Sequence, residues 1–259
     1  MNPIHYLPMK KYLAIIPARY ASTRFPAKPL AKLGERPIIE HVYRRVSDVV
    51  PDTFVATDDE RIADAVMQFG ARVIMTSTHH RSGTDRCWEA YTKSGVEADV
   101  VINVQGDEPF VHHSQIQAVM ACFEHPATDI ATLVKPFAKD AGIDALRNPN
   151  SPKVVVGNQH QALYFSRSIV PYLRGIDEKD WLATHTFYKH IGLYAYRTEV
   201  LRQITQLPAG VLEQAESLEQ LRWLEAGYRI TVGYTDIETI GIDTPEDLER
   251  AEQFLSQKA

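Results

Sequence analysis

Three cations follow closely on an apolar run in "YLAIIPARYASTRFPAKPL", which places Arg19, Arg24 and Lys28 behind a strand-like segment. A guanidinium is a planar fork and an ammonium a compact charge, so Arg19 and Lys28 suit the oxygens of a polyphosphate. The small residues Ala18, Ala21 and Ser22 between them allow close backbone approach. The same residues also read as a solvated basic loop, and their types alone leave both readings open. A second signal is "VVINVQGDEPF", where Asp107 and Glu108 follow a strand that looks buried. A carboxylate there requires solvent, a partner or a cation. The third is Asp243 in "GIDTPEDLER", at the mouth of a helix opened by Thr244 as N-cap and Pro245 in the first turn. That position equally fits a capping or turn residue. Taken together, two acids and a cationic loop suggest a metal-bound polyphosphate.

The surrounding pattern supplies elements able to hold such a site. "YLAIIPA" reads as a strand, and Ile38, Val42, Val46 and Val49 recur at helical spacing. "TFVAT" reads as the next strand, followed by a helix with Thr57 and Glu60 as a capping box and Gly70 as its stop. "RVIMT", a helix around Cys87 to Tyr91 and the strand "DVVINV" continue the rhythm. Ser114 then opens another helix, lined by Ile116, Val119, Met120 and Phe123. Such alternation predicts an α/β fold with a Rossmann-like, doubly wound and mainly parallel sheet. After Pro136 the segments read as strands joined by turns, which predicts an antiparallel, strand-rich insertion near 136–196 within a single domain spanning 1–259. Helical patterns "TEVLRQITQL" and "AESLEQLRWLEAG", the strand "RITVGYT" and a closing helix complete the chain. In doubly wound sheets, ligands bind where strand C-terminal ends meet their loops. Neither GxGxxG nor GxxxxGK[ST] is present, so the cationic stretch is a different phosphate device.

Composition excludes several classes. The 259 residues, 44% of them hydrophobic, can bury a substantial core. A net charge of -5 argues against nucleic acid as a partner, which usually calls for a basic face. Cys87 and Cys122 are isolated thiols, which favours a reducing compartment and hence the cytoplasm. The opening "MNPIHYLPMKK" has no continuous apolar run, so neither a signal peptide nor a membrane span is expected.

The segments "IPARYASTRFPAKPL", "HHRSGTDR", "NVQGDEPF", "ALYFSR", "HIGLYAYR", "LEQAESLEQLRWL" and "GIDTPEDLER" run in that order along the chain. As a set they resemble the 3-deoxy-manno-octulosonate (Kdo) cytidylyltransferase family, whose members make CMP-Kdo for bacterial lipopolysaccharide. One departure is Ala27, where the family commonly has glycine in its P-x-K-P turn. The resemblance implies a nucleotide-diphospho-sugar transferase type of fold, CTP and Kdo as substrates, magnesium (Mg2+) as cofactor and a homodimer packed through the strand-rich region. It implies that Arg19 and Lys28 bind the CTP phosphates, with Ala18 and Arg24 in support, and that Asp107 and Asp243 hold the metal. Ser82, Gly83 and Thr84 are implied at the cytosine and Gln105 at the ribose. The same resemblance assigns Arg167, His190, Tyr194, Glu216, Glu219 and Gln220 to the sugar acid. Glu216, Glu219 and Gln220 fall at i, i+3 and i+4 of an expected helix, a spacing that also fits a solvated face. A sialic acid cytidylyltransferase shares the IPAR opening, but "YFSR" and "HIGLYAY" favour Kdo. The glycine-rich GGxGTR opening of sugar-1-phosphate nucleotidyltransferases is absent, and a non-catalytic nucleotide sensor would not need both Asp107 and Asp243.

Overall fold

The structure, a computed structural model, describes residues 10–21, 24–238 and 240–256, so Ser22 lies outside the described residues. The strands of its main sheet are β1 (Tyr12–Ala18), β2 (Thr53–Thr57), β3 (Val73–Met75), β4 (Val100–Asn103), β5 (Ile130–Pro136), β6 (Lys153–Val156), β7 (Ala162–Ser166), β8 (Tyr188–Arg197) and β9 (Ile230–Tyr234). The helices are α1 (Ile38–Ser47), α2 (Glu60–Gln68), α3 (Gly83–Ser94), α4 (His113–Ala121), α5 (Ile143–Arg147), α6 (Trp181–Thr184), α7 (Thr198–Ile204), α8 (Val211–Glu216), α9 (Gln220–Glu225) and α10 (Pro245–Ser256). These strands form one sheet in the order β9-β5-β8-β4-β1-β2-β3, with β6 and β7 extending from β8. β1 runs parallel to β2 and β4, β2 to β3, and β5 to β9, while β8 lies antiparallel between β4 and β5.

β1 shows how the sequence builds this sheet. Ala14, Ile16 and Ala18 enter the core shared with α1 and α4, while Leu13 and Ile15 enter the opposite core shared with α7 and α9. Because helices cover both faces, the strand reads as a continuous apolar run rather than an alternating one. Each such buried Leu or Ile contributes about 1.5–3 kcal/mol, so the strand is held from both sides and its C-terminal end is a rigid mount. Beyond that end the chain leaves the sheet as the cationic loop.

Five details differ from the sequence reading. Asp59, not Thr57, caps α2, accepting from the Arg61 amide at 3.0 Å. Thr57 instead ends β2, and its hydroxyl accepts from the Asp59 amide. α3 starts at Gly83 with Ser82 as its cap, well before Cys87, and His112 rather than Ser114 caps α4 in a reciprocal pair with Gln115. The helix expected over "AESLEQLRWLEAG" is broken at Ser217, whose φ is 50°, so Glu216, Glu219 and Gln220 do not share one helix face. The break has a tertiary cause, because the Arg167 guanidinium takes the carbonyls of Glu216 and Ser217. Finally, β8 sits inside the main sheet instead of in an insertion. Ile191, Leu193 and Ala195 feed one core and Tyr194 and Tyr196 the other. The β6–β7 hairpin joins the main core through Val154, Ala162 and Phe165, and what stands apart is a small core of Leu146, Trp181, Leu182 and Phe187 around α5 and α6.

Candidate active site

The C-terminal ends of β1 and β4 open onto a cavity of about 480 Å³ that also receives the start of α3 and the approach to α10. Arg19, Arg24, Lys28, Gln105, Asp107 and Asp243 line it, together with Ala18, Ala21 and Gly83. The cationic loop leaves β1 and closes on itself where the Ala27 amide donates to the Tyr20 carbonyl at 3.0 Å. Ala27 takes the left-handed conformation, φ 58°, and starts the turn that presents Lys28. For a non-glycine residue this costs about 1–2 kcal/mol.

Lys28 holds the two acids together. Its Nζ donates to Asp107 Oδ2 at 2.5 Å and to Asp243 Oδ1 at 3.0 Å, while Arg24 reaches Asp243 Oδ2 at 3.1 Å. Burial works to lower the Lys28 pKa, but Asp107 and then Asp243 outweigh it and raise the value, so the side chain stays cationic. The acids themselves are tied through the backbone, since the Ile242 amide donates to the Asp107 carbonyl. Asp247 fixes the α10 entrance by accepting from the amides of Asp243 and Thr244, and Thr244 Oγ1 accepts in return from the Asp247 amide. Thr244 therefore caps the helix as its sequence position suggests, leaving the Asp243 carboxylate free to face Lys28. Before Asp107, a Cβ on Gly106 would stand 2.8 Å from the Pro17 carbonyl, so only glycine fits that close crossing of the β1 and β4 ends.

A hard dication is matched by this donor set. Two carboxylates converge on one cation already, and oxygen is the ligand that magnesium takes. Among the described residues no group of three or more His, Cys, Asp or Glu side chains could hold a metal.

The "SGT" residues form the first turn of α3. Gly83 faces the large cavity, whereas Ser82 borders an adjoining hollow of about 320 Å³ with Arg81, Asp85, Glu219 and Arg222. The Thr84 hydroxyl donates to Glu219 Oε2 at 3.0 Å, which joins the segment implied for cytosine to the one implied for the sugar. Burial raises the Glu219 pKa, opposed by Arg222, whose Nη2 lies 2.6 Å from Glu219 Oε1.

On the sugar side, His190 and Tyr194 pack with ring centroids 5.3 Å apart, and His190 Nε2 lies 3.0 Å from Thr132 Oγ1. Burial lowers the His190 pKa to about 4, so the imidazole is neutral at ordinary pH. The Tyr194 hydroxyl and Gln220 Nε2 are buried without a hydrogen-bond partner, and neither residue lines the large cavity or the hollow beside Ser82. Glu216 accepts from Ser166 Oγ at 2.6 Å and from the Arg167 amide at 2.9 Å. Arg167 sends its guanidinium to the carbonyls of Glu216, Pro149 and Ser217 at 2.6, 2.8 and 3.2 Å. None of these sugar-side residues lines the large cavity, and two of the three Arg167 bonds go to the segment that carries Glu216 to Gln220.

Two residues escaped the sequence reading. Arg86 lines the large cavity although it is almost wholly buried, donating to Asp58 Oδ2 at 2.9 Å and Thr76 Oγ1 at 2.5 Å. The aspartate closing "TFVATD" was the one sequence signal for its partner. Lys153, also buried, donates to the carbonyls of Arg167 and Asn148 and so fixes the Arg167 backbone. Within "SPKVVV" nothing marks it as inward-facing.

Comparison with known proteins adds independent findings. A family model described as cytidylyltransferase matches residues 13–231. The chain is 65% identical to a 3-deoxy-manno-octulosonate cytidylyltransferase of Phocaeicola vulgatus, covering 96% of this chain and 98% of that protein. It is 64% identical to a protein of the same name from Bacteroides thetaiotaomicron, covering 96% and 100%. A solved structure of CMP:2-keto-3-deoxy-manno-octonic acid synthetase complexed with CTP superposes with a TM-score of 0.88 at 42% identity, covering 96% of this chain and all of that one.

Proposed function

The chain belongs to the 3-deoxy-manno-octulosonate cytidylyltransferase family, and from that membership we propose how its cavity works. The enzyme transfers CMP from CTP to Kdo, giving CMP-Kdo and pyrophosphate, a step that serves lipopolysaccharide biosynthesis. The observation that carries the site assignment is the bridge of Lys28 across Asp107 and Asp243 beside Arg19 and Arg24.

In this reading Arg19, Arg24 and Lys28 bind the triphosphate and offset the charge that develops on the departing pyrophosphate. Ser82, Gly83 and Thr84 meet the cytosine, and Gln105 the ribose. Magnesium, held by Asp107 and Asp243, would lower the pKa of the attacking hydroxyl and align it with the α-phosphorus. The anomeric hydroxyl of Kdo passes its proton to solvent water and its oxygen forms the new O–P bond, while the bond from the α-phosphorus to the pyrophosphate oxygen breaks and pyrophosphate leaves with that electron pair. No residue serves as a covalent nucleophile. Tyr194, Gln220, Glu219 and His190 meet the sugar hydroxyls, and Arg167 with Glu216 sets the segment from which Glu219 and Gln220 project.

Removing Arg167 should therefore act on the sugar alone. Arg167→Ala is expected to raise the KM for Kdo roughly ten- to hundredfold, the range for losing one of the charged hydrogen bonds that hold the Glu216–Ser217 carbonyls and with them the segment carrying Glu219 and Gln220. Calorimetric CTP binding should stay within about twofold. Loss of CTP binding with an intact Kdo dependence would move Arg167 to the nucleotide side.

The enzyme is also proposed to be a homodimer that works in the cytoplasm. In the strand-rich region Leu163 and Tyr172 are 54% and 74% exposed, apolar surface that an isologous contact would cover. Both cysteines are free, and among the described residues no helix is long and apolar enough to cross a membrane. Light scattering should give about twice the chain mass of 29.3 kDa. A single-chain mass independent of concentration would contradict the dimer.

A further inference from the structure

The cationic loop is braced from a neighbouring helix by a residue outside the site described above. At the α2 entrance Asp59 accepts from Arg61 Nε at 2.9 Å through Oδ1 and from Arg61 Nη2 at 2.6 Å through Oδ2. Its Oδ1 also accepts from the Arg61 amide, so one carboxylate fixes both the helix start and the plane of the guanidinium. That plane lies over the Tyr20 ring, with the guanidinium carbon 3.3 Å from the ring centroid. α2 is in turn seated in the core by Ile62, Ala63 and Val66. The brace thus runs from a packed helix, through Asp59 and Arg61, to an aromatic ring.

Tyr20 occupies the neck of the loop. Its carbonyl accepts from the Ala27 amide, Arg19 immediately precedes it, and Lys28 immediately follows the closing bond. α2 also packs against the turn at Lys28–Leu30, so both ends of the neck rest on the same helix. An arginine held flat by a bidentate carboxylate and stacked on a ring has lost most of its own freedom already, so ordering the loop costs it little more.

We propose that Arg61, locked by Asp59, is a positioning residue that holds Tyr20 and thereby keeps the loop of Arg19, Arg24 and Lys28 in its CTP-binding arrangement. It rests on the assignment of that loop to the CTP phosphates. A positioning role of this kind acts on the fraction of free enzyme that is binding-competent, so its loss weakens apparent affinity in proportion. Once CTP saturates the site the ligand itself holds the loop, and turnover is spared.

The test uses the full chain and calorimetric titration with CTP and magnesium, beside steady-state kinetics. Arg61→Gln keeps the side-chain length and removes the charged plate. It should weaken CTP binding about three- to tenfold, the range expected for one cation–π contact, while kcat and the KM for Kdo stay within twofold. Tyr20→Phe preserves the ring face and should bind CTP as the unmodified chain does, whereas Tyr20→Leu should match Arg61→Gln. In the Tyr20→Leu background, Arg61→Gln should cause no further loss. An undiminished loss in that background would mean that Arg61 contacts the nucleotide directly and would overturn the proposal, as would unchanged CTP affinity in Arg61→Gln. Lys28→Ala serves as the control: if it weakens CTP binding and Arg61→Gln does not, the brace alone fails. If Lys28→Ala also leaves CTP binding intact, the assignment of the loop fails first.

Discussion

Asp243→Asn should cut turnover by at least about a hundredfold while the protein keeps its fold, and Asp107→Asn should do the same. The swap keeps the shape of each side chain and removes the charge on which a hard cation depends. Folding should survive because the side chains of Asp107 and Asp243 are 31% and 47% exposed, so neither change strands a buried charge. The supporting bonds also use the backbone of residues 107 and 243, with the Ile242 amide donating to the Asp107 carbonyl and the Asp243 amide to the Asp247 carboxylate, and an asparagine leaves them in place. Circular dichroism and the thermal midpoint check the fold, and pyrophosphate release over a magnesium series checks the activity. Near-normal turnover at saturating magnesium in either variant would remove the metal from these acids.

Lys28→Ala should show the second large effect, a ten- to hundredfold loss of CTP affinity measured by calorimetry, with the Kdo dependence much less affected. Lys28 is the more buried member of its ion pairs, 13% exposed, and it neutralises two carboxylates at once. Without it, Asp107 and Asp243 face each other and the triphosphate with no ammonium between them. This is the converse of the Arg167→Ala outcome, and the pair of variants divides the site into a nucleotide half and a sugar half. Unimpaired CTP binding in Lys28→Ala would place the phosphates elsewhere.

Much of this site was legible in the chain because its parts are local. Arg19, Arg24 and Lys28 follow one strand and Asp107 another, and strand ends in a doubly wound sheet converge whatever the details of packing. Asp243 was legible through Thr244 and Pro245, residues that start a helix for local steric and hydrogen-bonding reasons. The parts that were not legible depend on distant partners. The break at Ser217 comes from Arg167, far away in sequence, while the apolar spacing of "AESLEQLRWLEAG" continues unbroken across it. Nothing in "HHRSGTDR" singles out Arg86, which Asp58 and Thr76 close around only in the folded chain. β8 reads like part of a meander, and only its antiparallel pairing with both β4 and β5 makes it a central strand. Local pattern reports the elements and their caps, whereas burial of polar side chains is decided by what tertiary structure brings to them.

The central claim is that this cavity joins CTP to Kdo, and pyrophosphate release from the purified chain tests it most directly. With CTP and magnesium present, Kdo should give pyrophosphate and CMP-Kdo in equal amounts, whereas N-acetylneuraminate, glucose 1-phosphate and a sugar-free control should give only background. Release with N-acetylneuraminate at an efficiency equal to that with Kdo, or no release with any of them, would contradict the account.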